Sequence, residues 1–255
     1  LLYERQDRAA VPLLAKLLRE AKSPLAKHHA LGVLDGLGAL TEEPVLPALA
    51  DRDARLRERA IVYAEKLIAR GPLSPALAAR LSALVNDPDD RVRFQLAFTV
   101  QSAPGLAHAY AQLAARDFAE PWISAALLSA PPAAVNGTLF PALTRDLATA
   151  QKAAPFVAKL IEIRAASKPA EGYATLIDFV AQPGTSPLWL RALGEGLRRA
   201  GTTIAQADTA QKLTAVFTRD AATAADPTAP SAARLEAIGL LGVATYAQSR
   251  EPLMA

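Results

Sequence analysis

The sequence predicts an all-α protein that forms an α-solenoid, a stack of antiparallel helix hairpins. Two observations favour this fold class. The triplet Arg55-Leu56-Arg57 recurs 36 residues later as Arg91-Val92-Arg93, and an acidic turn precedes both copies. In addition, apolar residues recur at helical spacing between breaks at proline and glycine, and no segment alternates apolar and polar residues over strand length. A period of this size is the length of one helix pair in a stacked repeat protein.

The first three predicted helices precede the first Arg-x-Arg copy. A helix over 9–21 has an apolar face that is formed by Leu13, Leu14, Leu17 and Leu18. Ser23 is an N-cap residue followed by proline, so the second helix is expected over 24–35. Gly38 suits the left-handed backbone at its end. A short helix over 43–50 follows.

The two Arg-x-Arg triplets lie at the starts of helices predicted over 53–70 and 89–102, and a further helix between them begins at Pro75. Later repeats are less regular. A helix is predicted from 106 and another from Pro121, where a serine stands in place of the second arginine.

The rest of the chain continues the helical pattern without a linker that would divide it. Further helices are predicted over 137–148, 152–166, 170–182, 187–200, 209–225 and 230–247. We therefore expect one domain over 1–255, with about six to seven hairpins, clear repeats over 23–103 and degenerate repeats over 104–255. Because the chain begins at Leu1 rather than Met, we expect it to be a fragment of a longer protein.

The acidic turns and the arginines that follow them predict a ladder of ion pairs between stacked repeats. An aspartate at a helix start accepts free backbone N–H groups, but an arginine there opposes the helix dipole and needs a carboxylate partner. We expect that partner to be a turn aspartate of the same or the adjacent repeat. The alternative is that these charges are only solvated. The residues of the predicted ladder are Asp51, Asp53, Arg57, Asp87, Asp89 and Arg93.

A candidate contact surface follows from four cationic residues that share one face of the 53–70 helix. They are Arg55, Arg59, Lys66 and Arg70. The alternative is a solvated polar face, because Glu58 and Glu65 lie on the same helix. Trp122 and Trp189 are possible partner anchors, but core packing is the interpretation we favour for both.

The repeated stretch resembles HEAT repeats over roughly 23–103. The acidic turn, the Arg-x-Arg triplet and the small apolar residues after it carry the resemblance. It implies a curved, right-handed α-solenoid. A closer similarity is to the HEAT segment of large secreted proteins of planctomycete-type bacteria. The segments that carry this second similarity are 23–26, 30–38, 89–97, 116–117, 121–123 and 232–238.

In those planctomycete-type proteins the HEAT segment commonly lies between a dehydrogenase-like β-propeller and a C-terminal cytochrome c domain. The resemblance therefore implies an extracytoplasmic location and a redox-active parent protein. This chain has no cysteine, so no Cys-x-x-Cys-His haem motif is present and haem c would have to be bound elsewhere in the parent. We expect no cofactor in this fragment.

Composition and motifs argue against several classes of function. A formal charge of +3 is small for a dedicated nucleic-acid binder, and the longest apolar runs are shorter than the ~20 residues that a membrane span needs. The chain has no Gly-x-Ser-x-Gly motif and no phosphate-binding glycine loop. His28 and His29 are adjacent on a helix and point apart, so a shared metal ion is disfavoured.

Three functions remain open at this point. The first is a non-catalytic scaffold that contacts another protein or neighbouring domains of its own chain. The alternative is a nucleic-acid-binding solenoid like the HEAT-like DNA glycosylases, for which the cationic face that starts at Arg55 is the motivation. A carrier or lyase with a small molecule between its helices is the third. We expect the scaffold, and we expect that the chain is not an enzyme.

Overall fold

Every regular element of the described residues is helical, and none of those residues lies in a β-strand. The computed structural model describes residues 2–169, 171–244, 249–250 and 254. The helical structure of the described residues confirms the all-α prediction. Contacts divide the chain into two compact units, Leu1–Ala130 and Pro131–Ala255. The single domain over 1–255 stays a prediction.

The helices of the first unit follow closely on one another, and short 3-10 turns extend several of them. Their bounds are α1 Leu2–Arg5, α2 Val11–Glu20, α3 Pro24–Gly36, α4 Glu42–Ala48, α5 Ala54–Ile68, α6 Pro75–Ala83, α7 Asp90–Val100, α8 Ala107–Asp117 and α9 Pro121–Leu128.

Two rows of helices pack against each other in the first unit. In one row α3 contacts α5, α5 contacts α7 and α7 contacts α9, and in the other row α2 contacts α4 and α4 contacts α6. Contacts between the rows join α2 to α3, α4 to α5 and α7 to α8. The buried leucines, isoleucines and alanines of these helices form the layer between the rows. Each helix of the first row therefore meets its sequence neighbour and the equivalent helix of the next repeat.

The sequence explains why α3, α5 and α7 begin where they do. Ser23, Asp53 and Asp89 are their N-cap residues, and each side chain accepts a backbone N–H of the first turn. After α3 the backbone turns at Gly38 with φ of 63°, a left-handed conformation that favours glycine. A Cβ at Gly32 would lie 3.2 Å from the Tyr63 hydroxyl, so glycine permits the close contact of α3 with α5.

Every regular element in the described part of the second unit is also a helix. The first helix runs from Pro132 to Leu143 and contains a π-helical segment, Val135–Leu139. Its parts and the helices that follow are α10 Pro132–Ala134, α11 Phe140–Leu143, α12 Leu147–Lys152, α13 Ala154–Ala166, α14 Ala174–Val180, α15 Pro187–Arg199, α16 Ile204–Ala207, α17 Thr214–Ala225 and α18 Ser231–Leu241.

The core of the second unit centres on the close packing of α13 against α15. Trp189 of α15 is fully buried, stacks on Phe179 at 5.0 Å between ring centroids, and donates its indole N–H to the Ala154 carbonyl oxygen at 3.0 Å. A Cβ at Gly196 would lie 2.5 Å from the Glu162 carbonyl oxygen, so α15 approaches α13 at a distance that only glycine allows.

Two sequence predictions need correction. The helix expected over 137–148 is interrupted at 144–146, because Asp146 caps a new helix by accepting the N–H and hydroxyl of Thr149. Leu14 and Leu18 of α2 are buried as expected, whereas Leu13 and Leu17 are exposed. The end of the helix predicted over 230–247 lies outside the described residues at 245–247, as does residue 170 of the helix predicted over 170–182.

Candidate functional site: an ion-pair ladder and a basic groove

Arg57 joins two consecutive repeats of the first unit. Its Nε and Nη2 donate to Asp87 Oδ2 and Oδ1 at 2.6 and 2.7 Å, a bidentate pair. Its Nη1 donates to the carbonyl oxygens of Asp51 and Arg52 at 2.8 and 3.1 Å. One guanidinium thus holds the turn before its own helix and the turn before the next helix of the row.

Arg93 makes the same contacts one repeat later. Its Nε and Nη2 donate to the Asp117 carboxylate at 2.8 and 3.4 Å, and its Nη1 donates to the Asp87 carbonyl oxygen at 2.8 Å. The two side chains are only 9% and 6% exposed. Lys27 occupies the equivalent position in α3 and donates to Asp51 Oδ2 at 2.6 Å. These contacts join α3, α5 and α7 through one chain of ion pairs.

Position within the helix explains this regularity. Lys27, Arg57 and Arg93 are each the fourth residue of their helix. Asp51 and Asp87 each accept a backbone N–H two residues later, at 3.0 Å, so every turn presents its carboxylate in one orientation. A cation on the first turn is unfavourable toward the helix dipole, and the carboxylate of the next repeat compensates for it.

The ion pairs also shift the pKa values of Asp51 and Arg57. Burial opposes the charged form of Asp51, but hydrogen bonds from Lys27 and from the Asp53 N–H outweigh it and hold the pKa of this carboxyl below 3.8. The hydrogen bonds to Asp87 raise the pKa of Arg57. Asp51 and Arg57 therefore stay charged at neutral pH.

On another side of the same helices lies an open groove of about 780 Å³, which we call the α3–α5–α7 groove. It lies within the ~300–1,000 Å³ range of typical ligand sites. Its lining residues come from the N-terminal halves of the three helices and their caps. They are Ser23, Pro24, Leu25, His28, Asp53, Arg55, Leu56, Glu58, Arg59, Val62, Arg91 and Gln95.

Two guanidinium groups in this groove have no carboxylate partner in the described part of the chain. Arg55 and Arg59 are exposed, and no carboxylate of the described residues lies within ion-pair distance of either. Arg59 lies 5.5 Å from the Tyr63 ring centroid. Arg91, the third guanidinium, is held by Asp89 at 3.1 Å. Burial, then the charges of Arg59 and His29, lower the pKa of His28, so its imidazole is neutral at pH 7.

The structure separates the two arginines of each Arg-x-Arg triplet. Residues two apart on a helix point to nearly opposite sides, at ~200° around the axis. Consequently Arg55 and Arg91 line the groove, whereas Arg57 and Arg93 enter the ladder. Leu25 is the equivalent second residue of α3 and also lines the groove. The sequence did not identify Leu25 as part of the groove, or Lys27 and Asp117 as part of the ladder. The N-cap Ser23 could have revealed Leu25 and Lys27, because it aligns the start of α3 with the starts of α5 and α7.

Not all of the four cations that were expected on one face of α5 are available to contact a ligand. Lys66 Nζ and Arg70 Nη2 both approach the Asp35 carboxylate, the second at 3.6 Å, so this carboxylate offsets their charge. Arg55 and Arg59 alone of the four line the groove. Glu65, expected to soften the same face, instead accepts hydrogen bonds from Gln95 and Thr99 at 2.9 and 2.7 Å.

The two tryptophans have different environments. Trp189 is buried in the second unit as expected, but core packing is wrong for Trp122, which is 78% exposed. Trp122 is the second residue of α9, and its neighbour Ile123 occupies the core instead.

The described residues contain no group of three or more His, Cys, Asp or Glu side chains that is arranged to hold a metal ion. The His28 and His29 rings meet edge to face, with centroids 5.7 Å apart. In the described part of the chain no single helix has the length and apolar character to cross a membrane, and one bent pair, Pro121–Leu128 with Pro132–Leu143, passes that test by length and composition only.

Comparison of the chain with protein-family models, with curated proteins and with solved structures gives no match.

Proposed function

We propose that this protein is a non-catalytic scaffold, a right-handed α-solenoid of the HEAT type that contacts a partner protein or neighbouring domains of its own chain. The observation that carries the proposal is the arrangement of α3, α5 and α7. Ion pairs at equivalent positions fix these helices to one another, and the same helices present an open groove. A row of helices held in register is a rigid platform, which lowers the entropic cost of binding.

A non-catalytic role is supported by the chemistry of the groove. Its guanidinium groups do not exchange protons near neutral pH. Asp53 is occupied as the α5 N-cap, which leaves Glu58 as the remaining carboxylate and His28 as the imidazole of the lining. No hydrogen bond joins these two side chains in the described part of the chain. A paired acid and base, or a nucleophile beside a base, is the usual requirement for hydrolytic or transfer chemistry.

The resemblance noted in the sequence supports the further proposal that such a scaffold is part of a larger redox protein. In this proposal the parent combines a dehydrogenase-like β-propeller with a cytochrome c domain outside the cytoplasm. Haem c would be bound by the cytochrome domain, because this chain has no cysteine to attach it. The reading frame around the coding sequence tests this part: it should encode a propeller and a Cys-x-x-Cys-His segment, and their absence would exclude it.

Site-specific photocrosslinking in the source cells tests the scaffold itself. A photoreactive residue is placed at Leu25 in the groove, and others at Leu13 and Arg80, which are exposed on the other row of helices. We expect one defined adduct, identified by mass spectrometry and reproduced with the two purified components. If none of the three positions gives a specific adduct, the result contradicts the proposal.

A second candidate is a nucleic-acid-binding solenoid. The observation that favours it is the presence of three guanidinium groups, Arg55, Arg59 and Arg91, in one groove. Duplex DNA would then bind with an affinity that falls steeply between about 50 and 200 mM salt. The absence of binding at the lower salt concentration would eliminate this candidate.

A further inference from the structure

The α3–α5–α7 groove combines uncompensated positive charge with exposed apolar surface. Leu25, at one edge, is 64% exposed although it is a large aliphatic side chain. Val62, which is half-buried, provides further apolar surface in the lining. Arg55 and Arg59 have no carboxylate partner among the described residues. A ligand that matches this lining carries negative groups beside an apolar group.

The distribution of charge favours a peptide over a nucleic acid. Glu58 and Asp53 lie among the arginines of the lining. The evenly spaced charges of a phosphate backbone would meet these two carboxylates, whereas a peptide can present its carboxylates at the arginines alone. Single-stranded nucleic acids bind through stacking of bases on aromatic side chains, and the described lining residues include no Phe, Tyr or Trp. Duplex binders show a larger and more clustered basic excess than the +3 of this chain.

We infer that the groove binds an extended acidic segment of a partner protein, in which carboxylates flank a leucine-sized side chain. The carboxylates pair with Arg55 and Arg59, the groove arginines that have no carboxylate partner among the described residues, and the apolar side chain packs on Leu25 and Val62. Arginine suits this role, because its planar guanidinium binds a carboxylate through two parallel hydrogen bonds. This inference rests on the proposed scaffold function and names the chemistry of its partner.

Fluorescence anisotropy with the full 255-residue chain tests the inference. The probe is a fluorescein-labelled peptide in which a leucine lies between pairs of glutamates, and the matched control peptide has glutamine at each glutamate position. We expect saturable binding of the acidic peptide that weakens with salt. Binding should weaken about tenfold in Arg55→Glu/Arg59→Glu, because both exposed ion pairs become repulsive.

Two further variants separate charge from packing. Arg80→Glu, which reverses an exposed arginine of α6 outside the groove, should change the affinity less than about twofold, since it does not line the groove and salt screens an exposed charge. Leu25→Asp should weaken binding several-fold, through lost apolar contact and added repulsion. All four substituted positions are exposed, and circular dichroism verifies that each variant remains helical.

The outcomes are distinct. Equal binding of both peptides, or equal effects of Arg80→Glu and the double reversal, would overturn the inference. Tighter binding of duplex DNA than of the acidic peptide at the same salt concentration would overturn it in favour of a nucleic-acid site. If crosslinks form only at Leu13 or Arg80, the scaffold function stands and the groove is not its binding surface. If no crosslinks form anywhere, the scaffold function itself fails.

Discussion

Arg57 and Asp87, 30 residues apart in sequence, are joined by two nearly parallel hydrogen bonds of 2.6 and 2.7 Å. The same aspartate accepts the Asp89 N–H through its side chain, and its carbonyl oxygen accepts from Arg93. Asp87 therefore connects the cation of the previous repeat, the start of its own repeat helix and the cation of that helix.

Removal of Asp117 should be strongly destabilising. Asp117→Ala leaves the buried Arg93 guanidinium without its carboxylate, and an uncompensated buried charge costs about 3–5 kcal/mol. We expect a loss of that order in the free energy of unfolding, measured by urea denaturation. Glu120→Ala removes an exposed carboxylate three residues away and should cost less than about 0.5 kcal/mol. Equal effects of the two substitutions would mean that the Arg93 pair is not important for stability.

Acid should weaken the first unit in part through Asp51. The folded protein lowers the pKa of this carboxyl, so its contribution to stability is present above the unfolded value and is lost as pH falls through the folded value. Asp51→Asn should therefore make stability less dependent on pH below 3.8, the ordinary value for this group. The control is Asp90→Asn at an exposed position of α7. Urea titrations at several pH values provide the comparison, and an unchanged slope in Asp51→Asn would contradict the prediction.

Gly196 should not tolerate even a methyl group. A Cβ there would lie 2.5 Å from the Glu162 carbonyl oxygen and 2.6 Å from the Ala165 Cβ. Gly196→Ala should cost about 1–3 kcal/mol by overpacking, although alanine is the better helix former by about 1 kcal/mol. Gly137→Ala is the control, because its new Cβ meets nothing within 4 Å, and it should be neutral or stabilising. Thermal unfolding of both variants distinguishes the two outcomes.

The two tryptophans should respond in opposite ways to truncation. Trp189→Ala removes a buried indole and its hydrogen bond to Ala154, at a cost of about 3–5 kcal/mol. Trp122→Ala alters an exposed side chain and should change stability by less than about 1 kcal/mol. If Trp122→Ala proved as destabilising as Trp189→Ala, the result would contradict the exposed environment of Trp122.

The sequence was informative where local chemistry determines structure. N-cap residues and proline predicted the starts of α3, α5 and α7, and the equivalent places of Arg57 and Arg93 followed from the repeated triplet. The carboxylate partners of Arg57 and Arg93 were harder to predict from the sequence. Arg57 meets its carboxylate 30 residues later and Arg93 meets its own only 24 residues later. This difference arises because the connecting hairpins differ in length, which the triplet period does not reveal.

Burial of individual apolar side chains could not be predicted from the sequence. Leu13 and Leu14 share the predicted apolar face of α2, yet only Leu14 has helices packed over it. Trp122 and Leu25 are exposed for the same reason, since burial depends on which neighbours pack over each helix start. Likewise, Lys66 and Arg70 looked equivalent to Arg55 until the structure placed Asp35 beside them.

A double-mutant cycle of Arg57→Ala and Asp87→Ala tests most directly the claim that ion pairs couple adjacent repeats. The free energy of unfolding is measured for the wild-type protein, both single variants and the double variant. The account predicts a coupling energy of about 1.5–3 kcal/mol, because the pair is bidentate and largely buried. Additive effects, with a coupling energy below about 0.5 kcal/mol, would show that the two residues act independently and would contradict it.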